Sequence, residues 1–298
     1  MQGLLLLLLA ALPIWSTAVT AQPVVRNDES LASDRPEAWA MKYVTASTLM
    51  TAFGETQAPA AGQWGFALDL GYVPRLTDGQ QRVGLNGTKS EDLNRSPVFG
   101  RLRLMLVLPE EFVVELGYTP PLTIRGVQSL GLAAIAIGHR IFEHDPFTMS
   151  VQAFGQHGRV QGDITCPTRL AGVADRRQNP FGCEAPSNDH MMLNYYGLEL
   201  TVGWTAESWR AYSSVGAART DLAVQVDAVT FGVRDRSRLT SRSVLPFATI
   251  GASRDLDAHW SLGVEVLHVP LYVQREPGST RESDPLTSLR LQLRCRFE

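Results

Sequence analysis

The stretch that decides the fold lies at the end of the chain and reads Leu289-Arg290-Leu291-Gln292-Leu293-Arg294-Cys295-Arg296-Phe297. Apolar and strongly polar residues alternate along it. Because successive side chains of a strand point to opposite faces, one face is apolar and the other carries three arginines and a glutamine. This contrast is typical of a strand that separates lipid from a polar lumen.

The same alternation of apolar and polar residues recurs in earlier segments of the chain, which are joined by turns as β-hairpins. Short polar turns are predicted near 109–111, 143–146, 205–208 and 254–259, and longer connections near 74–97, 119–127, 161–190, 224–243 and 271–286. This spacing predicts an all-β fold, a transmembrane antiparallel up-and-down β-barrel of about ten strands from Trp64 to Phe297. We interpret 209–233 as one long strand with an extension, and two strands remain the alternative. A β-sandwich also remains open, because alternation fits one-sided sheets.

The N-terminus predicts export. Leu4 to Leu9 is an unbroken apolar run, and the small residues of 19–21 precede a predicted cleavage site before Gln22. No later run of about 18 apolar residues follows, which excludes a helical membrane protein. We therefore divide the chain into a signal peptide (1–21), an N-terminal periplasmic or plug segment with a linker (22–62) and an outer-membrane barrel (63–298).

Residues 34–54 have a different pattern from the strands. Asp34 as the cap, Pro36 in the first turn and Glu37 predict the start of a helix. Such a helix would plug or line the barrel or lie in the periplasm, and an extra strand is the alternative. Residues 58–62 are interpreted as a linker.

Charge and cysteine content narrow the class further. The net charge of −3 and the pI near 6.1 argue against a nucleic-acid partner. Lys42 and Lys89 are the only lysines, and the many arginines suit planar ion pairs in a crowded interior. Cys166 and Cys183 flank a polar segment, and export favours a disulfide between them over a metal site. We expect no metal and no cofactor.

Strand alternation also predicts a charged lumen. The charges expected to face inward form a predicted belt of Asp69, Arg101, Arg103, Glu115, Glu199, Glu265, Arg290, Arg294 and Arg296. Aligning the strand ends places Asp69 across from Arg103, with Glu115 diagonal to that arginine. Closing the last strand on the first puts Arg290 and Arg294 near Asp69, with Glu265 on their other side. A one-residue slip would reverse a strand's faces.

Aromatic residues collect at the predicted strand ends, where amphipathic rings favour the headgroup region. The predicted girdle is Trp64, Tyr72, Phe112, Tyr118, Phe147, Trp204, Trp209, Trp260 and Phe297, and Phe99, Phe142 and Tyr195 also lie at predicted strand ends.

With its signal, hairpin rhythm, aromatic girdles and C-terminal Arg296-Phe297, the chain resembles the small outer-membrane β-barrel proteins of Gram-negative bacteria. The resemblance covers about residues 63–297 and is architectural. It implies a bacterial outer-membrane location, contact with the bilayer and lipopolysaccharide, and delivery by the barrel-assembly machinery, which recognises a terminal aromatic strand. Here Glu298 follows that aromatic residue, which departs from the pattern.

The sequence is compatible with three functions. The first is a non-enzymatic narrow pore or conduit for small or apolar solutes, although interiors of narrow barrels are often filled by side chains, so a structural plug is the competing interpretation. The second is a structural or adhesion-type barrel that binds a partner through the 161–190 loop. The third, an outer-membrane hydrolase, requires His157 or His190 within hydrogen-bond reach of a nucleophile, with Ser187, Asp163 and Asp189 nearby.

Overall fold

The architecture was examined in a computed structural model that describes residues 22–54, 62–276 and 278–297. The predicted signal peptide at 1–21 and most of the predicted linker at 58–62 lie outside the described residues.

Ten long strands make up the wall of the molecule. In chain order they are β1 (Trp64–Tyr72), β2 (Val98–Val107), β3 (Phe112–Thr119), β4 (Leu132–His144), β5 (Phe147–His157), β6 (Asp189–Ala206), β7 (Trp209–Gln225), β8 (Arg238–Asp255), β9 (Trp260–Val269) and β10 (Leu286–Phe297). Each strand pairs antiparallel with the next. β10 pairs with β1 from Trp64–Phe297 to Gly71–Arg290, which closes the barrel. The predicted ten-stranded barrel is confirmed.

Burial alternates along the wall as the sequence pattern requires. In β1 every second residue is exposed and those between are buried, and β10 keeps this alternation from Leu286 to Arg294. The outward positions are a continuous belt of exposed leucine, isoleucine, valine and aromatic side chains. A closed wall with no free edge and an apolar outer face is the form in which strands span lipid. The protein is therefore an outer-membrane β-barrel in contact with the bilayer. No helix among the described residues is long and apolar enough to cross a membrane.

The connections at the two rims of the barrel differ in length and in secondary structure. Four short connections, one with the 3-10 turn Pro109–Glu111, lie at one rim, which we call the short-turn rim. The opposite, long-loop end carries short strands at Arg82–Val83, Lys89–Ser90, Thr123–Ile124, Val127–Ser129, Arg159–Gly162, Ala228–Thr230, Val233–Asp235, Tyr272–Val273 and Glu282–Ser283, and a helical turn at Gly84–Gly87. Residues 209–225 form one strand, as favoured from sequence. The predicted Cys166–Cys183 disulfide is present in the loop between β5 and β6.

The one long helix among the described residues, α1, spans Pro36–Ser47 and lies inside the barrel. Proline at its first position suits a helix start, because its missing N–H would have no partner there. The cap is Arg35 and makes no side-chain capping bond, so the expectation that Asp34 is the cap was wrong. Apart from Val44, every residue of α1 is buried. The barrel wall surrounds the helix, and that explains why it shows no polar face.

The N-terminal segment enters the lumen from the long-loop end. Val24–Val25 pairs with the loop strand Val233–Asp235, and Asp28–Ser30 pairs with the first residues of β8. After α1 the chain continues into the lumen to Gly54, whose backbone lies against Tyr212 of β7. β1 then starts at the short-turn rim. We call residues 36–54 the plug.

Candidate functional site: the lumen belt and the plug

The inner wall carries a balanced set of buried charges, which we call the lumen belt. It comprises four carboxylates and four guanidinium groups, each no more than 6 % exposed: Asp69, Glu115, Glu199, Glu265, Arg101, Arg103, Arg290 and Arg294. Buried charges are costly unless each is paired and hydrogen-bonded. The contacts of these eight groups therefore show what the lumen is built to hold.

Arg103 is the centre of the belt. Its Nε donates to Asp69 Oδ2 at 2.5 Å, and its Nη1 donates to Glu115 Oε2 at 2.8 Å. The same Nη1 also donates to the carbonyl oxygen of Thr51 in the plug at 2.9 Å. One buried guanidinium thus joins two wall strands to the plug.

The strand register differs from the predicted one by two residues. Asp69 lies across from Arg101, and Arg103 lies across from Ala67, so the predicted Asp69–Arg103 alignment was wrong. The ion pair still forms, because Arg103 is long enough to reach Asp69 diagonally. A two-residue shift leaves the same side chains facing inward, and for this reason the inward-facing set is unchanged.

Two other arginines bind the C-terminal end of α1. Arg290 Nη1 donates to the carbonyl oxygen of Leu49 at 2.7 Å, and its Nη2 approaches the carbonyls of Ala46 and Ser47 at 3.2 and 3.3 Å. Arg101 Nη2 donates to the carbonyl oxygen of Thr48 at 2.8 Å. The last carbonyls of a helix lack partners within the helix and carry partial negative charge. The two guanidinium groups satisfy both requirements.

Two carboxylates of the belt also bind the plug, as hydrogen-bond acceptors. Glu199 Oε2 accepts from the backbone N–H of Ala52 at 2.9 Å, and Glu265 Oε1 accepts from the hydroxyl of Thr51 at 2.7 Å. Tyr195 supplies a neutral link, because its hydroxyl donates to the carbonyl of Thr48 at 2.8 Å and accepts from the N–H of Met50 at 3.0 Å. The backbone from residue 46 to 52 is thus bound by the wall through both donors and acceptors.

The seam between the first and last strands is polar and differs from the predicted one. Gln292 lies across from Asp69 and donates to its Oδ1 at 2.9 Å. Arg290 faces Glu265, with their charged atoms 4.0 Å apart, and Arg294 donates to Gln292 at 2.6 Å. Arg296 is only half-buried at the rim, where it pairs with Asp255 at 2.5 Å.

Toward the short-turn rim many inward positions are small and polar, beside larger buried side chains such as Met105, Val107 and Tyr212. Six buried hydroxyl side chains lie there, nearer to this rim along their strands than the apolar part of the wall: Thr148, Ser150, Thr201, Ser214, Thr249 and Ser261. Ser214 donates to Glu199 at 2.5 Å and lies 2.7 Å from Thr249. The long-loop half of the lumen is instead apolar, with α1 packed against Phe154, Leu245, Phe247 and Leu267.

The nine aromatic residues of the predicted girdle all lie on the outside, with exposures between 36 % and 51 %. At the seam Trp64 and Phe297 stack with ring centroids 4.6 Å apart. Tyr195, also expected at a strand end facing lipid, points into the lumen and is buried. The signal was available, because Tyr195 and Glu199 have the same parity on β6 and must share a face.

The candidate hydrolase residues do not form a catalytic arrangement. The Ser187 hydroxyl donates to Asp189 at 2.8 Å and accepts from the N–H of Cys166 at 3.0 Å, and no contact within the described residues joins it to His157 or His190. Asp163 holds Thr168 and Arg95 instead. Among the described residues, no group of three or more His, Cys, Asp and Glu is placed to hold a metal ion.

Sequence reasoning did not find the partners in the plug. The carbonyls that the arginines bind belong to Ala46, Ser47, Thr48, Leu49 and Thr51, and backbone oxygen is available at every residue. Gln156, which bridges Arg101 and Thr48, carries no sequence signal either. Only the predicted helix near the charged wall pointed toward this contact.

No family model and no curated protein matches the chain. Among solved structures, the translocator domain of the autotransporter NalP from Neisseria meningitidis is similar at 12% identity and a TM-score of 0.42, covering 90% of this chain and 100% of that one. The toluene transporter TodX from Pseudomonas putida is similar at 9% identity and a TM-score of 0.36, covering 90% and 97%. Ail, the attachment invasion locus protein of Yersinia pestis, follows at 7% identity and a TM-score of 0.32, covering 80% and 99%. These likenesses are too distant to bear on function, and the outer-membrane assignment rests on the barrel itself.

Proposed function

We propose that this chain is a non-enzymatic outer-membrane barrel whose narrow polar conduit for small solutes is held closed by its own N-terminal segment. The observation that carries the proposal is the direction of the belt's hydrogen bonds. Arg101, Arg103 and Arg290 each donate to backbone oxygens of the plug. The belt therefore acts as a holder for a separate element and does more than fill the barrel.

The side chains that line the lumen favour a conduit over a barrel that is permanently filled. Narrow barrels are normally filled by side chains of the wall itself. Here the wall contributes small hydroxyl groups toward the short-turn rim, such as Ser150, Thr201 and Ser261, and Arg103 and Glu199 bind the backbone of the plug. The described contacts between plug and wall are non-covalent, and water can replace polar partners when the segment moves. Charged groups around the opening would then contact the passing solute.

The test is the conductance of the purified protein in planar bilayers. We expect wild type to be closed and the Arg101→Gln/Arg290→Gln variant to show frequent openings, because the variant removes donors to the helix carbonyls. Arg254→Gln is the matched control, since Arg254 is exposed at the short-turn end of β8 and lies over the Trp209 ring.

Heat-modifiable migration on gels establishes that each variant is a folded barrel. If the double variant is folded and still shows near-zero conductance, the plug is a structural filling and the conduit proposal is wrong. Openings in the Arg254→Gln control at the same frequency would show that loss of any arginine loosens the barrel, which also contradicts a role for these two donors.

A partner-binding role for the 161–190 loop is the second candidate. The favouring observation is that the loop shares a small core with the connection between β7 and β8, in which Cys166 and Cys183 pack with Val226 and Ala228. A preformed exterior surface of this kind suits recognition outside the cell. Polysaccharide arrays probed with wild type and with a Cys166→Ser/Cys183→Ser variant test it, and absence of binding by wild type would leave this candidate unsupported.

A further inference from the structure

The outer face of the barrel changes from apolar to charged at the long-loop end of β6 to β8, where Arg219, Asp221 and Arg242 are exposed. Tyr196 on β6 and Val244 on β8 are both 62 % exposed and mark the end of the apolar belt. Arg219 of β7 lies between them as the cross-strand neighbour of both. Beyond this row the outward positions include Arg242 on β8 and Arg159 after β5. The transition lies at the rim that carries the long loops and therefore faces the outer leaflet.

A cavity of about 560 Å³ opens on this outer face beyond the apolar belt. Two arginines and two histidines line it, together with an apolar floor: Arg159, Arg238, His157, His190, Met192 and Ala223. Strand parity places the cavity outside the lumen, because His190 and Met192 share the face of the exposed Tyr196. No carboxylate among the described residues lines the cavity, whereas Asp28 and Asp227 line an adjoining depression that shares His190 and Arg238. The volume of the cavity suits a small ligand.

The two arginines of the cavity lack the partners that neighbouring arginines have. Arg234 pairs with Asp227 at 2.7 Å, and Arg242 pairs with Asp221 at 3.1 Å. Arg159 and Arg238 make no ion pair within the described part of the chain. His190 adds a ring Nδ1 that is shielded from solvent and has no hydrogen-bond partner among the described atoms. Guanidinium groups that form no ion pair keep donors for an anion, and they bind phosphate in planar, two-point geometry.

We propose that this cavity binds the phosphorylated saccharide of an outer-leaflet glycolipid. His190 lies six residues beyond Tyr196 along β6, a separation of roughly 20 Å for an extended strand. The cavity is therefore above the headgroup level, where sugars and their phosphates lie, and Met192 and Ala223 provide a surface for a sugar ring. Below it the outward residues Ala217, Pro246 and Ala248 are small. They leave a shallow path on the wall along which acyl chains of the same lipid lie.

The test measures binding of a lipopolysaccharide truncated after its phosphorylated inner sugars to the detergent-purified, folded barrel. We expect the Arg159→Gln/Arg238→Gln variant to bind about tenfold more weakly or worse, because it removes two charge-assisted contacts to phosphate. Arg254→Gln is the control and keeps wild-type affinity, since Arg254 is exposed on the same strand at the opposite rim. Heat-modifiable migration verifies folding in each case.

Three further arms identify the ligand. The same lipopolysaccharide after enzymatic removal of phosphate should lose affinity, and phosphatidylglycerol should bind more weakly than the intact glycolipid. Inorganic phosphate at matched phosphate concentration should compete poorly. Unchanged binding by the double variant, equal binding of the dephosphorylated lipid or of phosphatidylglycerol, or full competition by inorganic phosphate would each overturn the proposal.

Discussion

The two halves of the lumen hold the same segment by different chemistry. In the long-loop half, Trp39 and Leu49 of the plug pack against apolar wall residues such as Phe247. At and beyond the C-terminal end of α1, Arg290 and Arg103 hold the backbone of the plug through charged hydrogen bonds. Apolar burial is non-directional and contributes stability, whereas hydrogen bonds to backbone oxygens depend on position and direction. The first half accounts for why the segment is inside, and the second for the depth at which it stops.

The largest expected effect on stability comes from removing Arg103, the central arginine of the lumen belt. Arg103→Met leaves the Asp69 and Glu115 carboxylates buried beside each other without their shared partner. We expect a loss of about 3–5 kcal/mol in the free energy of unfolding, the cost of removing one member of a buried ionic group. Urea unfolding of the detergent-purified barrel measures it.

The companion variant adds Asp69→Asn and Glu115→Gln to Arg103→Met. Because neither carboxylate is then left charged without Arg103, we expect most of the lost stability to return. If the single Arg103→Met variant unfolds within about 1 kcal/mol of wild type, below the range for an unpaired buried charge, then the belt is not a paired network.

A somewhat smaller loss is expected in the apolar half. Leu245 is 1 % exposed in the cluster around α1, so Leu245→Ala opens a cavity that costs about 2–5 kcal/mol. Leu198→Ala is the control, since Leu198 faces lipid at 62 % exposure and its truncation leaves no internal void. The same urea titration compares the two variants.

Combining the two substitutions tests whether the two halves hold the plug independently. Leu245 and Arg103 belong to different clusters, so the losses from Leu245→Ala and Arg103→Met should add to within about 0.5 kcal/mol. A coupling free energy between the two substitutions well above that figure would show that both halves hold the plug as one unit. It would contradict separate roles for the two halves.

A pH-dependent effect is expected in the loop that covers the apolar half, where Leu76 and Val83 pack on the same cluster. Burial raises the pKa of Glu91 in this loop to about 8, against the opposing attraction of Lys89. Between about pH 4.5 and 8 the folded protein keeps a proton that the unfolded chain loses. The free energy of unfolding should therefore fall as pH rises through this window.

Glu91→Gln removes the titrating group and should flatten that fall. Urea midpoints of wild type and variant at pH 5 and pH 8 test the prediction. A variant that loses as much stability between these pH values as wild type does would show that Glu91 is not the group responsible.

Strand parity was readable from sequence, and strand offset was not. Alternation predicted that Asp69, Arg103 and Glu115 face inward, and the structure places all three there. The offset between β1 and β2 was misjudged by two residues, because a two-residue shift keeps every side chain on its own face. Tyr195 was misplaced for a different reason. Aromatic character was weighed above the parity that it shares with Glu199.

By itself, the sequence determined the class of the protein: alternating strands, short turns and long loops permit a closed barrel with an apolar outside and a charged inside. Only the tertiary structure decided what the inner charges bind. Arg101, Arg103 and Arg290 find backbone oxygens of residues 46–51, which are distant in sequence and carry no distinctive side-chain signal. The physical reason is that periodicity specifies which face a side chain occupies, whereas its partner depends on register and on which segment fills the lumen.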